Sequence, residues 1–252
     1  MSRPSRMTLL ACCSFFAVAA AAAVALPSRI GLAIADPGRP AEDRALDDSR
    51  HVAAVLAFAD IRPGDKVVDL MPGKGYYTRL FSKLAGPDGK VYALQPAEMD
   101  KAAPKGLQSL RSFAGTPAYA NVVVLVQPVS AMSLPEKVDV IWTSQNYHDL
   151  HDPFMGPPDI AKVDAALFNA LKPHGTLIVL DHAAAAGTGA SHTDDLHRID
   201  PATVKAELTA AGFHYEGESN ALRNPADTHA LGIRDPSIRS HTDRFILKFT
   251  KP

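Results

Sequence analysis

The chain has 252 residues, 46% of them hydrophobic and 21% charged, with 26 Lys and Arg against 27 Asp and Glu. That balance excludes the strong basicity of a nucleic-acid binder, and the apolar share excludes a wholly disordered chain. The two cysteines, Cys12 and Cys13, are too few for a disulfide framework or a four-thiolate zinc site.

At the N-terminus, Arg3 and Arg6 precede an uncharged run from Leu9 to Leu26, the pattern of a secretory signal peptide. Two small-x-small sites fit its cleavage, Ala23-Val24-Ala25 and Ala33-Ile34-Ala35. The second leaves a polar mature end at Asp36, so residues 1–35 read as the signal and 36–252 as a single domain. An uncleaved membrane anchor is the alternative reading of a run this long. The expected location is therefore the periplasm or the exterior, with no membrane contact beyond the signal segment. No nucleic-acid partner is expected, and the oligomeric state leaves no mark in the sequence.

Residues 36–50, rich in Pro, Asp, Glu and Arg, read as a surface lead-in. Val52–Phe58 has helical spacing and stops at Pro63-Gly64. Lys66–Leu70 reads as a strand, Met71–Gly75 as a turn and Tyr76–Leu84 as a helix closed by Gly86-Pro87-Asp88-Gly89. Strands follow at Lys90–Leu94 and Val122–Val126, with a helix near Lys105–Phe113 between them. Val138–Thr143 and Thr176–Leu180 are further strands, separated by a helix at Ile160–Leu171 that ends in Lys172-Pro173-His174-Gly175. A helix at Ala202–Ala211, capped by Asp200 with Pro201 at its first turn, leads to two closing strands, Phe213–Glu218 and Arg244–Thr250. This alternation predicts an α/β domain built on a mostly parallel sheet.

The run Val67-Val-Asp-Leu-Met-Pro-Gly-Lys-Gly75 passes from strand through turn into helix. Gly73 and Gly75 would let the backbone approach a ligand, and the helix start favours an anionic group. Asp69, at the strand end, would accept hydrogen bonds from a ligand ammonium or from the turn's own amides. In open α/β sheets ligands bind beyond the carboxyl ends of the strands. Two polar clusters fall there: Asn146-Tyr147-His148-Asp149 with His151 and Asp152, and Asp181-His182 with His192 to Arg198. Six of the ten histidines lie between His148 and His197, on loops rather than apolar faces. His148 and His182, with Asp149 as a carboxylate partner, are the candidate catalytic groups, because imidazole suits general-base work near neutrality. His148-x-x-His151 and His192-x4-His197 offer nitrogen ligands to a divalent metal, but no complete ligand motif is present and no metal is predicted. Arg198, Arg223 and Arg244 could hold an anionic substrate through bidentate bonds.

The segments VVDLMPGKGYYT, KVYALQPAE and LKPHGTLIVLDH resemble the class I S-adenosylmethionine-dependent methyltransferases, across about residues 60–250. SQNYHDLH, DHAAAAGTG, DDLHRIDP and ALRNPAD narrow the resemblance to an exported bacterial group of predicted methyltransferases. The resemblance implies a single Rossmann-like domain with a seven-stranded, mostly parallel sheet and an antiparallel last strand. It also implies S-adenosyl-L-methionine as cofactor, held by Asp69, Pro72, Gly73, Gly75, Gln95 and Asn146. A small-molecule acceptor would lie near Tyr147, His197 and Arg223. The chain departs from the family pattern where Met71 stands in place of a glycine and Gln95 in place of an acid.

Overall fold

The computed structural model describes residues 28–102, 104–156 and 159–252, so most of the expected signal segment lies outside the described residues. The chain begins with helices α1 (Arg29–Ile34), α2 (Ala41–Arg44) and α3 (Val52–Ala59). Strand β1 (Lys66–Leu70), helix α4 (Tyr76–Ala85) and strand β2 (Lys90–Pro96) come next, then helices α5 (Ala97–Ala102) and α6 (Pro104–Phe113). Strands β3 (Val122–Gln127) and β4 (Val138–Ser144), helix α7 (Ile160–Ala170) and strand β5 (Leu171–His182) follow. The chain closes with α8 (Thr193–Leu196), α9 (Pro201–Ala210), β6 (His214–Ser219) and β7 (Arg244–Thr250).

The seven strands form one sheet in the order β3-β2-β1-β4-β5-β7-β6. The pairs among β1 to β5 are parallel, and β7 runs antiparallel to both β5 and β6. The expected fold class is thus observed, antiparallel last strand included. Continuous apolar runs suit this arrangement because both faces of the sheet are covered. Val67, Trp142, Ile178 and Ile246 enter one core. Their chain neighbours Val68, Ile141, Leu177 and Leu247 enter the other. The first core lies under α1, α3, α4 and α6, where the buried Trp142 ring packs 4.8 Å from Tyr77 and 5.5 Å from Phe81. The second lies under α7 and α9.

Two expectations need correction. Residues 36–50 are not a surface lead-in but a clamp on α4. Arg39, 1% exposed, makes a bidentate pair with Asp47 at 2.6 and 2.9 Å, and the Tyr76 hydroxyl donates to the same carboxylate at 2.6 Å. Arg79 of α4 completes the clamp on buried Asp43 at 3.0 Å. Next, Lys172–Gly175 does not form a turn between helix and strand. Leu171 pairs with Val138 and Thr176 with Val140, so β5 starts at the helix end and carries the irregularity within it. Burial of Leu171 in the second core draws the chain straight into the sheet. Helix α1 lies at the end of the segment read as signal and packs on the first core. Ser28 caps it through the Gly31 amide at 3.1 Å, and Ala33 is buried in the first core.

Candidate functional site

Along the C-terminal edge of the sheet, β1 ends in three alternating left-handed residues, Met71 (φ 54°), Gly73 (φ 57°) and Gly75 (φ 87°). Gly75 is required twice over, because a Cβ there would also meet the Phe113 ring at 2.7 Å. Met71 adopts a backbone that side chains rarely favour, and two bonds hold it there. Its amide donates to Leu94 O at 2.9 Å, and its carbonyl accepts from Asn146 Nδ2 at 2.7 Å. Asn146 is therefore a brace between the turn and the end of β4, with Thr143 bonded to its other side. Asp69 is buried and accepts the Thr78 hydroxyl at 2.5 Å, stapling the start of α4 to β1. Burial pushes its carboxyl up to about 7, against the opposing pull of those Thr78 contacts. Gln95, at the end of β2, is 3% exposed and its Oε1 has no partner. Such an orphaned acceptor awaits a donor. Pro72 and Gly73 form the outer rim of the turn, where Gly73 is exposed.

After β4 the chain sorts its polar residues to two sides. Tyr147 is fully buried, with its hydroxyl 3.1 Å from both oxygens of Asp164 and from Glu207 Oε2. His151 joins the same network through Glu207 Oε1 at 2.9 Å. His148 and Asp149 turn the other way. The His148 ring donates from Nδ1 to Asp181 Oδ1 at 2.8 Å, and its Nε2 lies 3.3 Å from Asp149 Oδ1. Asp181, fully buried, also accepts the backbone amides of His148 and His182, each at 2.8 Å. His197 approaches from the end of α8, its Nδ1 3.9 Å from the same Asp149 oxygen. Burial works to lower the His148 pKa, but Asp181, Asp149 and Asp152 outweigh it and raise it to about 9. His182 goes the opposite way: burial is the largest cause and pushes it down to about 3. Its Nδ1 rests against the Thr242 hydroxyl at 2.8 Å.

Between these elements lies a cavity of about 270 Å³, whose walls include Ser49, Arg50, Gln145, His182, Arg234, Arg239, Thr242 and Arg244. It meets a second, more open hollow of about 550 Å³ at Ser49, Ser240, Thr242 and Arg244. Four arginines face the smaller cavity. The arginine ion pairs of the described residues engage Arg39, Arg62, Arg79, Arg198 and Arg223, and none of the four. Arg244 is 6% exposed, donates once to Ser49 O at 2.7 Å, and leaves its Nε without a partner. A buried cation without a counter-ion is costly, and the burial itself lowers its pKa.

The expected site residues thus divide. His148, Asp149 and His197 come together, and His182 lines the cavity beside them. Asp69 and Asn146 support the turn from behind, while Tyr147 is sealed in its own network. Of the three candidate arginines, Arg198 pairs with Asp227 at 2.9 Å and Arg223 with Asp243 at 2.9 Å, leaving Arg244 for a ligand. Each histidine pair read from spacing is split: His151 goes to Glu207, and the half-exposed His192 goes to Asp195 at 3.1 Å. Arg50, Arg234 and Arg239 were not singled out from sequence. They sit in polar stretches with no periodicity, and only the tertiary fold brings them to one cavity.

No protein-family model matches the chain. A stretch of 75 residues is 33% identical to a protein-L-isoaspartate O-methyltransferase of Ignicoccus hospitalis, covering 30% of this chain and 33% of that one. Over 129 residues the chain is 30% identical to the ubiquinone/menaquinone biosynthesis C-methyltransferase UbiE of Cupriavidus metallidurans, covering 50% of this chain and 46% of that one. The matches span less than half the length of these curated relatives. Among solved structures, a SAM dependent methyltransferase from Aquifex aeolicus aligns with a TM-score of 0.56 at 20% identity, over 85% of this chain and 99% of that one. Aeropyrum pernix fibrillarin, solved with natively bound S-adenosyl-L-methionine, aligns at 0.51 and 15% identity over 81% and 76% of the two chains. The sheet order, the glycine turn after β1 and these likenesses give the chain the fold of the S-adenosylmethionine-dependent methyltransferases.

Proposed function

We propose that the chain transfers a methyl group from S-adenosylmethionine to a small anionic acceptor. The observation that carries this reading is two sets of unsatisfied groups along one sheet edge: Gln95 Oε1 near the end of β2, and the arginines without ion pairs around Arg244 at the start of β7. The residues present fit the cofactor. Gln95 would accept from ribose hydroxyls, and the backbone of Gly73 to Gly75 would carry the rest of the molecule. When bound, S-adenosylmethionine supplies a methyl carbon on a cationic sulfur that an acceptor's lone pair can displace. Arg50 and Arg244 would orient an anionic acceptor, and the buried cavity floor would keep water from it. An acceptor already ionised needs no base to free its lone pair. That suits a site whose His182 is barely basic. The methyl-donor half of the reading is tested by thermal melting with S-adenosylmethionine and with its demethylated product. Either ligand must raise the melting temperature by mass action, and Gln95→Leu must weaken that response. A melting temperature unmoved by both ligands at millimolar concentration would overturn it.

The export reading stands beside this one. No helix among the described residues is long and apolar enough to cross a membrane. Cleavage after Ala25 would keep α1 on the folded domain, whereas cleavage after Ala35 would strip Ala33 from the first core. N-terminal sequencing of the processed protein is expected to start at Leu26; a start at Asp36 would defeat this choice of site.

A further inference from the structure

We infer that His148, Asp149 and His197 form a binding site for a divalent transition metal, of which Zn²⁺ is the best match. One ligand atom from each of His148, Asp149 and His197 lies within 4.8 Å of the other two. A four-coordinate ion with bonds of about 2.0–2.2 Å asks its donors to stand roughly 3.4 Å apart. The separations of 3.3 Å from His148 Nε2 and 3.9 Å from His197 Nδ1 to Asp149 Oδ1 need only a small inward movement to reach that.

Three features set this group apart from an ordinary cluster of polar side chains. The first is the fixed orientation of His148. Its Nδ1 is tied to the buried Asp181 at 2.8 Å, which leaves Nε2 aimed at Asp149. A carboxylate behind the imidazole is the usual support of a metal-ligating histidine. The second is Asp152. It is fully buried, neither of its oxygens has a partner, and its charge acts on His148, Asp149 and His197 alike. A buried carboxylate beside the three ligand atoms favours a cation among them. The third is the placement of His197, held in a left-handed conformation at φ 53°. Its neighbour Arg198 is anchored to Ala183 O at 2.9 Å and to Asp227 at 2.9 Å, so the imidazole is presented by a rigid support.

Two imidazoles with one carboxylate form a mixed nitrogen and oxygen donor set, which suits zinc and its first-row neighbours over magnesium or calcium. Arg234 acts on Asp149 and His197 and also lines the arginine cavity, so the proposed ion borders the space assigned to the acceptor. On the methyl-transfer reading, an open coordination position would take an oxygen of that acceptor. The metal site itself does not depend on that reading.

The test uses the untagged full-length protein, stripped of metal by chelation and titrated calorimetrically with Zn²⁺, Mn²⁺ and Mg²⁺. One equivalent of Zn²⁺ is expected, bound at least 100-fold more tightly than Mg²⁺. His197→Ala and the isosteric Asp152→Asn should each weaken Zn²⁺ binding tenfold or more. His192→Ala should leave it unchanged, because that histidine belongs to the surface pair with Asp195. Co²⁺ substitution of the unmutated protein should produce the visible absorption of a four- or five-coordinate ion, a readout independent of any variant's folding. Absence of a stoichiometric site, or a site indifferent to His197→Ala and Asp152→Asn but lost with His192→Ala, overturns the inference. Melting with S-adenosylmethionine is measured on the same preparation. Zinc binding without a cofactor response would retain the metal site and defeat methyl transfer, and the reverse pattern would do the opposite.

Discussion

Two neighbouring groups, both drawn from the eight residues after β4, behave in opposite ways. Tyr147 and His151 enter a network with Asp164 and Glu207 in which the Tyr147 hydroxyl has carboxylates on two sides. His148, Asp149 and Asp152 take the other side, where His148 meets Asp181, Asp149 approaches His197, and neither oxygen of Asp152 meets hydrogen-bond geometry. The first group locks the loop to α7 and α9. The second stores unmet hydrogen-bonding capacity where the sheet topology places ligands. Polarity is equal on the two sides, so satisfaction of the buried groups is what separates a structural network from a binding site.

Four substitutions sharpen or break that comparison. The largest effect is expected from Asp181→Ala, which deprives the His148 ring and two backbone amides of their acceptor. A loss of about 3–5 kcal/mol in denaturant unfolding is expected. A loss below about 1 kcal/mol would mean that Asp181 does not organise the cavity side. On the sealed side, Asp164 is pushed up to about 7, chiefly by burial, with Glu207 adding to it and the Tyr147 hydrogen bond opposing. Between its unfolded value near 4 and about 7 the folded state holds the extra proton, so stability falls as pH rises through that window. Asp164→Asn removes this slope and should gain about 2–4 kcal/mol on the unmutated protein between pH 4 and 8. Parallel stability curves for the two proteins would break the description of Asp164 as a buried acid.

A smaller effect is expected at the cavity wall. Arg244→Met removes a buried cation without a counter-ion, so stability should rise by about 1 kcal/mol. The same change should weaken binding of a small dicarboxylate probe by about tenfold. A fall in both quantities would show that Arg244 is structural. The smallest effect belongs to His192→Ala, where an exposed pair with Asp195 should contribute within about 0.5 kcal/mol by thermal unfolding. A larger loss would place His192 in the supporting frame of the cavity.

Much of the framework was legible from residue order. Runs such as Val67-Val68 and Leu177-Ile178 announce strands buried on both faces, because each neighbour must find its own core. Asp200-Pro201 announced the start of α9, and Asp200 indeed accepts the Ala202 amide at 2.9 Å. The candidate site was legible only in its ingredients. His148 and His151 look equivalent in the sequence, yet the 3₁₀ turn His148–His151 aims one at Asp181 and the other at Glu207. The lead-in at 36–50 looked like surface because its charges are many. Nothing local says that Arg39 will find Asp47 and Tyr76 and be buried with them.

The sequence by itself therefore determined the strand and helix pattern, the glycine turn and the concentration of histidine on the loops after β4 and β5. These follow from interactions within a few residues: side-chain periodicity, backbone conformational preference and helix capping. Only the tertiary structure decided which polar groups share an environment. His197 meets Asp149 because α8 folds back onto the turn after β4, and Arg244 reaches the cavity because antiparallel β7 brings its first residue beside His182. Electrostatics and desolvation act through space, so a site built from four separate loops takes its charge and its unmet bonds from topology rather than from residue order.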